Sequence, residues 1–196
     1  MSDDTIIVRQ FQREDQPQIA DIYRTSFAAT YQNDPQCPEV GEMTSWFCEK
    51  KLEEGGDMHD VCSSFRNGDH PLKNFWVAVH TGDNKVVGCV GSISPSKEFV
   101  GPEYIELVRM AVDHRYRRFG VGAKLVDALC QFGKSQGCRL VYLSTLDVMT
   151  PAVRFYERMG FRLAHQVEVF PEEMFQKKYN TGNRIHVIHL LKDIDE

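Results

Sequence analysis

A mixed α/β sheet built as one domain is the fold this sequence predicts, and three observations predict it. The chain has 196 residues, the length of a single domain with no room for two of full size. Its first clear strands flank a tight polar turn, the mark of an antiparallel hairpin. Its second half instead alternates strand, helix and strand, the mark of a parallel crossover. Hydrophobic residues make up 42% and charged residues 26%, so the composition is that of a folded globular chain rather than a disordered one.

Each element follows from its local pattern. Thr5 to Gln10 is short and β-branched, a strand. Asp15-Gln16-Pro17 supplies a cap residue and a proline for a first helical turn, and Ile19, Ile22, Tyr23, Phe27 and Tyr31 recur at helical spacing. The pattern is weaker from Asn33 to Pro71. Trp46, Phe47 and Leu52 predict one helix ended by Gly55-Gly56, and Met58 to Phe65 a shorter one. Phe75 to Val79 and Lys85 to Ile93 form a hairpin around Thr81-Gly-Asp-Asn84. Ile105 to Val112 is a third long strand. A helix starting near Phe119 carries Val121, Leu125, Leu129 and Phe132 on one face and ends at Gly137. Leu140 to Leu146 is a strand, and Pro151 opens a helix that stops at Gly160-Phe161. Strands near Arg162 to Phe170 and Arg184 to Leu191 close the chain.

Composition excludes several function classes. A net charge of -5 is not that of a nucleic-acid coat. No run approaches the roughly 20 apolar residues of a membrane span. Met1-Ser2-Asp3-Asp4 lacks the positive region and apolar stretch of a signal peptide, so the expectation is a cytoplasmic or nuclear protein with no membrane partner. The six cysteines contain no CxxC pair and read as free thiols. His186 and His189 stand three apart on a predicted strand, so they face opposite sides of the sheet and cannot share a metal; no metal is expected.

Chemistry concentrates in Met110-Ala-Val-Asp-His-Arg-Tyr-Arg-Arg-Phe-Gly-Val-Gly-Ala-Lys124, a strand entering an arginine-rich, glycine-containing turn that opens a helix. Glycine lets backbone amides approach a ligand, and a helix N-terminus leaves N–H groups unpaired, so the turn suits a phosphate. Read alone, it is equally an ordinary tight turn with solvated arginines. A Rossmann fingerprint would need a third glycine where Leu125 stands, and a P-loop a Gly-Lys-Ser/Thr ending where Gly122-Ala-Lys-Leu stands.

What remains, Arg117-x-x-Gly120-x-Gly122, resembles the coenzyme A pyrophosphate loop of the GCN5-related N-acetyltransferase (GNAT) family. Downstream, Ala152-x-x-x-Tyr156-x-x-x-Gly160-Phe161 resembles that family's second motif, and the likeness extends from Phe75 to Phe161. The phrasing is closest to the camello-like branch, which includes cysteine-S-conjugate N-acetyltransferases, without that branch's membrane segment. The resemblance implies a mixed, mostly antiparallel sheet of about seven strands with helices on both faces. It also implies acetyl-coenzyme A as co-substrate, and an amine of a small molecule or peptide as acceptor. The backbone of Arg117, Arg118, Gly120, Gly122 and Ala123 would surround the pyrophosphate, with the two arginines adding charge. Met110 and Val112 would supply thioester and pantetheine contacts. Glu106, eleven residues before Arg117, matches the glutamate base of the histone-acetylating members, and Tyr156 the residue beside the sulfur. As plain sequence, Glu106 is also a solvent-facing strand residue and Tyr156 a packed helix tyrosine. Met149 occupies the place where many members have a pantetheine-binding asparagine, as the camello-like branch also commonly lacks it. An otherwise silent coenzyme A-binding module is the alternative reading, and homodimerisation is left open.

Seven acidic residues lie between Glu39 and Asp60 against Lys50 and Lys51, an imbalance equal to the whole chain's -5. It suggests an acidic side meeting a cationic acceptor opposite the basic cofactor turn; a solvated acidic helix explains the same count. The aromatic residues of the first helices, with Trp46, His165, Glu168 and Tyr179, read as core or surface rather than as a site.

Overall fold

The computed structural model describes residues 5–31, 39–65, 70–95, 103–169 and 185–195, with side chains of 39 and 165–169 excepted. A seven-stranded sheet runs in the order β1-β2-β3-β4-β5-β7-β6. The strands are β1 (Ile6–Gln10), β2 (Asn74–His80), β3 (Lys85–Ile93), β4 (Tyr104–Val112), β5 (Leu140–Leu146), β6 (Arg162–Val169) and β7 (His186–Asp193). The helices are α1 (Gln16–Tyr31), α2 (Glu39–Leu52), the four-residue α3 (Val61–Ser64), α4 (Val121–Ser135) and α5 (Thr150–Arg158). Every neighbouring pair is antiparallel except β4 and β5. No described helix is long and apolar enough to cross a membrane.

Strand alternation sorts the core into two layers. Phe75, Val77, Val79, Cys89 and Val108 face α1, α2 and α3. Trp76, Ala78, Ile105, Leu107, Val141, Leu143 and Leu190 face α4 and α5, meeting Leu125, Leu129 and Tyr156. Helices therefore cover both faces, which is why β2 and β3 read as nearly continuous apolar runs.

Three boundaries differ from the sequence reading. Asp15 does not cap α1: its carboxylate takes the Arg9 guanidinium at 2.7 and 2.8 Å and the Gln12 N–H at 2.8 Å, closing a 3-10 turn ahead of the helix. The helix expected over Met58 to Phe65 shrinks to α3, whose Asp60 cap accepts from Ser63 N–H at 3.1 Å. α4 begins at Val121, two residues after Phe119, because Arg118 and Gly120 take left-handed φ values of 72° and 73°. Phe170, Tyr179 and Arg184 lie outside the described residues.

Candidate active site

The site begins where two strands part. β4 and β5 pair in parallel only at Tyr104/Leu140, Ile105/Val141 and Glu106/Tyr142, yet both run on, to Val112 and Leu146. Beyond Glu106 the β5-facing edge of β4 therefore has no strand partner in the sheet. Asp113 N–H donates to Val87 O on the β3 side at 2.9 Å. By alternation the N–H of Val112, and two residues earlier that of Met110, face the gap.

A bulge shapes the same edge. Gly91 pairs with Val108 and Cys89 with Ala111, so Arg109 and Met110 oppose a single residue, Val90. Arg109 takes φ 54°, and its guanidinium holds Asp57 in a fork, Nε to the carboxylate at 2.9 and 3.0 Å and Nη2 at 2.7 Å. The bulge reverses the alternation: Val108, Arg109 and Ala111 turn to the α1 side, Met110 and Val112 to the α4 side.

β4 leads into the basic turn. Asp113 is buried and takes Arg115 Nε at 3.0 Å and Nη2 at 2.6 Å, with Lys85 Nζ at 3.5 Å. The Arg115 guanidinium above all holds the Asp113 carboxyl well below the usual carboxylate range, at about 2. After the turn, the first intrahelical bond of α4 is Lys124 N–H to Gly120 O at 3.0 Å. The N–H groups of Val121, Gly122 and Ala123 thus have no acceptor within the helix. A Cβ on Gly122 would stand 3.0 Å from Phe155 Cε2 and Cζ and 3.2 Å from Met110 Cε. Glycine there lets the α4 N-terminus lie against α5 and β4, a cradle that a side chain would fill.

The two arginines diverge. Arg118 is exposed, on the mouth of the cleft. Arg117 turns inward: its Nη2 donates to Ser26 O of α1 at 2.9 Å, and burial lowers its pKa from the ordinary guanidinium value. One edge of its guanidinium thus faces α1.

These pieces border one cleft of about 990 Å³, reaching from α1 and α2 past the fork to α4 and α5. Glu106, Met110, Val112, Arg117, Arg118, Gly120, Gly122, Ala123 and Tyr156 all line it. Tyr156 is buried, packed edge-on against Phe155 and Phe161 at 5.3 and 5.4 Å. Burial, with Tyr31 nearby, pushes its hydroxyl pKa up, so at neutral pH it is a protonated donor. Met149 also lines the cleft and takes the Thr145 hydroxyl at 3.8 Å through its sulfur.

Sequence reasoning missed the opposite wall. Tyr23, Phe27 and Tyr31 line the cleft, as do Thr44, Phe47, Cys48 and Lys51 of α2. The spacing of four was legible, but period alone does not say whether a stripe meets core or cavity. Among the described side chains of the acidic stretch, none of the carboxylates lines the cleft, contrary to the expectation of an acidic side there. Glu49 pairs with Arg24 at 2.9 Å, Glu53 with Lys50 at 2.8 Å, Asp57 with Arg109, and Asp60 caps α3. Among the described residues the one acidic side chain lining the cleft is Glu106, whereas Lys51, Arg109, Arg117, Arg118, Arg154 and Arg158 are basic.

His186 Nδ1 pairs with Asp147 at 2.8 Å and His189 Nδ1 with the Tyr142 hydroxyl at 2.6 Å, two separate sites. No group of three His, Cys, Asp or Glu among the described residues could hold a metal ion. The described cysteines, 48, 62, 89, 130 and 138, are free thiols.

The acetyltransferase (GNAT) family model matches residues 38–161, which include the fork, the basic turn and α5. The chain belongs to the GNAT acetyltransferase family. Over 120 residues it is 33% identical to the probable N-acetyltransferase camello of Xenopus tropicalis, covering 61% of this chain and 51% of that protein. It is 32% identical to human N-acetyltransferase 8 over 110 residues, 56% of this chain and 47% of the other. The chain thus spans about half the length of the relatives it matches. In fold, it superposes on the PaiA N-acetyltransferase of Thermoplasma acidophilum, solved with coenzyme A, with a TM-score of 0.69 at 17% identity, covering 96% and 99% of the two chains. A GNAT acetyltransferase from Staphylococcus aureus gives 0.65 at 18%, covering 97% and 100%.

Proposed function

We propose that the protein is an acetyl-coenzyme A-dependent N-acetyltransferase, moving an acetyl group to a primary amine of a small molecule or peptide by direct attack on the thioester. The observation that carries this is the fork: the strands separate at Glu106, and that carboxylate, the free edge of β4 and Tyr156 all open into one cleft. The residues present fit the co-substrate. The three N–H groups opening α4 and the helix dipole suit a pyrophosphate, and Gly122 leaves room for the close approach. Bound acetyl-coenzyme A supplies an activated acyl carbon and a thiolate leaving group.

The chain's own groups then divide the work. An alkylammonium with a pKa near 10.4 cannot attack until it loses a proton, and Glu106 accepts that proton, directly or through water. The N–H groups of Met110 and Val112 hold the thioester and its arm along β4, and a positioned amide of this kind contributes about 3 kcal/mol when charge develops on the acyl oxygen. Tyr156, kept protonated by burial, donates to the sulfur. Lys51 on the wall opposite the cofactor turn favours an amine whose remaining groups are neutral or anionic over a polycation.

Release of free thiol from acetyl-coenzyme A, followed across a panel of amines, tests the proposal. Turnover with at least one amine is expected. Coenzyme A binding without acetylation of any amine would make the chain a silent binding module instead.

A further inference from the structure

Arg109 stands where a glycine would be at ease. Its φ of 54° lies in the left-handed region that long L side chains rarely adopt, and it falls where β4 bulges opposite Val90. A conformation of this kind persists where the surroundings over-determine it. Here the guanidinium grips the Asp57 carboxylate, through Nε at 2.9 and 3.0 Å and Nη2 at 2.7 Å. On the backbone side, the Cys89 thiol donates to Arg109 O at 3.5 Å.

Asp57 is itself held in place. It lies in the turn between α2 and α3, where Met58 N–H donates to Lys51 O at 2.9 Å and a Cβ on Gly56 would collide with the same carbonyl. Gln16 of α1 ties this turn down: its Nε2 donates to Met58 O at 2.9 Å and its Oε1 accepts Val61 N–H at 3.1 Å. Met58, next in the chain, is fully buried. A carboxylate on a turn pinned to α1 thus reaches the left-handed residue of β4.

We propose that Asp57 and Arg109 are positioning residues for acetyl transfer: their ion pair holds the bulge of β4, and the bulge aims the Met110 and Val112 N–H groups at the pantetheine arm. The inference rests on the acetyl-transfer reading above. Unbroken alternation from Glu106 would place the Met110 and Val112 side chains on the α1 face, beside Glu106. The extra residue at the bulge turns them to the α4 face instead, where Met110 Cε closes the space behind Gly122. The same reversal decides which amides pair with β3 and which point into the gap beside β5. A glycine at 109 would reach φ 54° without strain, but nothing would keep it there. Arginine accepts the strain and brings its own clasp to Asp57.

Coenzyme A and 3′-phospho-ADP, its nucleotide half without the pantetheine arm, both present a pyrophosphate to the α4 cradle. The ratio of their affinities, measured by calorimetric titration, therefore isolates the β4 edge. The wild-type protein should prefer coenzyme A. Asp57→Ala should lower that preference about tenfold, the loss expected when one or two backbone hydrogen bonds to the arm are displaced, with affinity for 3′-phospho-ADP unchanged. Asp57→Asn, which keeps one acceptor oxygen, should fall between. Adding Arg109→Gly to Asp57→Ala should restore part of the preference, because glycine takes the left-handed φ unaided. A wild-type preference in Asp57→Ala overturns the proposal. Equal weakening of both ligands makes the pair merely structural and overturns it too. A double variant no better than Asp57→Ala breaks the link through the backbone of Arg109, and with it the proposal. A wild-type protein that binds neither ligand refutes the acetyl-transfer reading as well, whereas the variant outcomes refute this inference alone.

Discussion

Gly122→Ala adds one methyl group at the narrowest point behind the phosphate cradle. It would stand 3.0 Å from two ring carbons of Phe155 and 3.2 Å from Met110 Cε. Carbon atoms prefer about 3.5–4.0 Å, so α4 and its neighbours must separate by about half an ångström. Overpacking of this size costs about 1–3 kcal/mol, and alanine's better helix propensity returns up to about 1. The net loss of stability is then about 0–2 kcal/mol. Function changes more, because the N–H groups of Val121, Gly122 and Ala123 move with the helix end. Losing one charge-assisted hydrogen bond to a phosphate costs about 1.5–3 kcal/mol, which is a tenfold or greater loss of coenzyme A affinity. Gly120→Ala is the control. Nothing lies within 4 Å of its added methyl, and its φ of 73° costs only the left-handed strain, about 1–2 kcal/mol of stability. Calorimetric titration with coenzyme A and urea unfolding of both variants measure the two effects separately. If Gly122→Ala binds coenzyme A like the wild type, or Gly120→Ala weakens it equally, close approach is not what the glycine provides.

Glu106→Gln should depress turnover most at low pH, since the neutral fraction of the amine falls tenfold per pH unit there; a pH–rate profile parallel to that of the wild type would remove Glu106 from the mechanism. Tyr156→Phe should cut kcat about tenfold or more with less than about threefold change in coenzyme A affinity, as steady-state kinetics and titration would show. Asp113→Asn should lose stability at pH 7. The Asp113 carboxyl sits at about 2 against an ordinary 3.8, which corresponds to at most about 2 kcal/mol because Arg115 is solvent-screened. A lowered folded-state pKa stabilises above the ordinary carboxylate value and is lost as pH falls from about 4 to about 2. The gap between the urea midpoints of variant and wild type should therefore be wide at pH 7 and close toward pH 2; a gap that ignores pH would show the ion pairs contribute nothing.

Strand and helix periods made most of the architecture legible, because burial on one face leaves a repeat of two or 3.6 residues in the chain. Sequence motif alone directed attention to Glu106, the basic turn and Tyr156, and all three open into the same cleft. The rest depended on pairs of segments that sequence does not juxtapose. The bulge at Arg109 exists only relative to Val90 on the next strand, and Asp57, fifty-two residues away, holds its side chain. The bond from Arg117 Nη2 to Ser26 O, ninety-one residues earlier, is likewise invisible in the basic turn read alone. The acidic stretch looked like a charged face because a count along one segment leaves out Arg24 and Arg109, which come from elsewhere in the chain to pair with Glu49 and Asp57.

The fork at Glu106 also makes the sheet two plates with a short seam. β1 to β4 form one plate and β5, β7 and β6 the other, stitched by three residue pairs. What clamps the plates lies beneath them: Leu125 and Leu129 of α4 share one buried cluster with Ile105 on one side and Val141, Leu143 and Leu190 on the other. The helix whose first turn we assign to the cofactor thus also joins the two plates. A ligand that steadies its N-terminus stiffens the joint between the plates, and amide exchange along the seam should slow when coenzyme A binds.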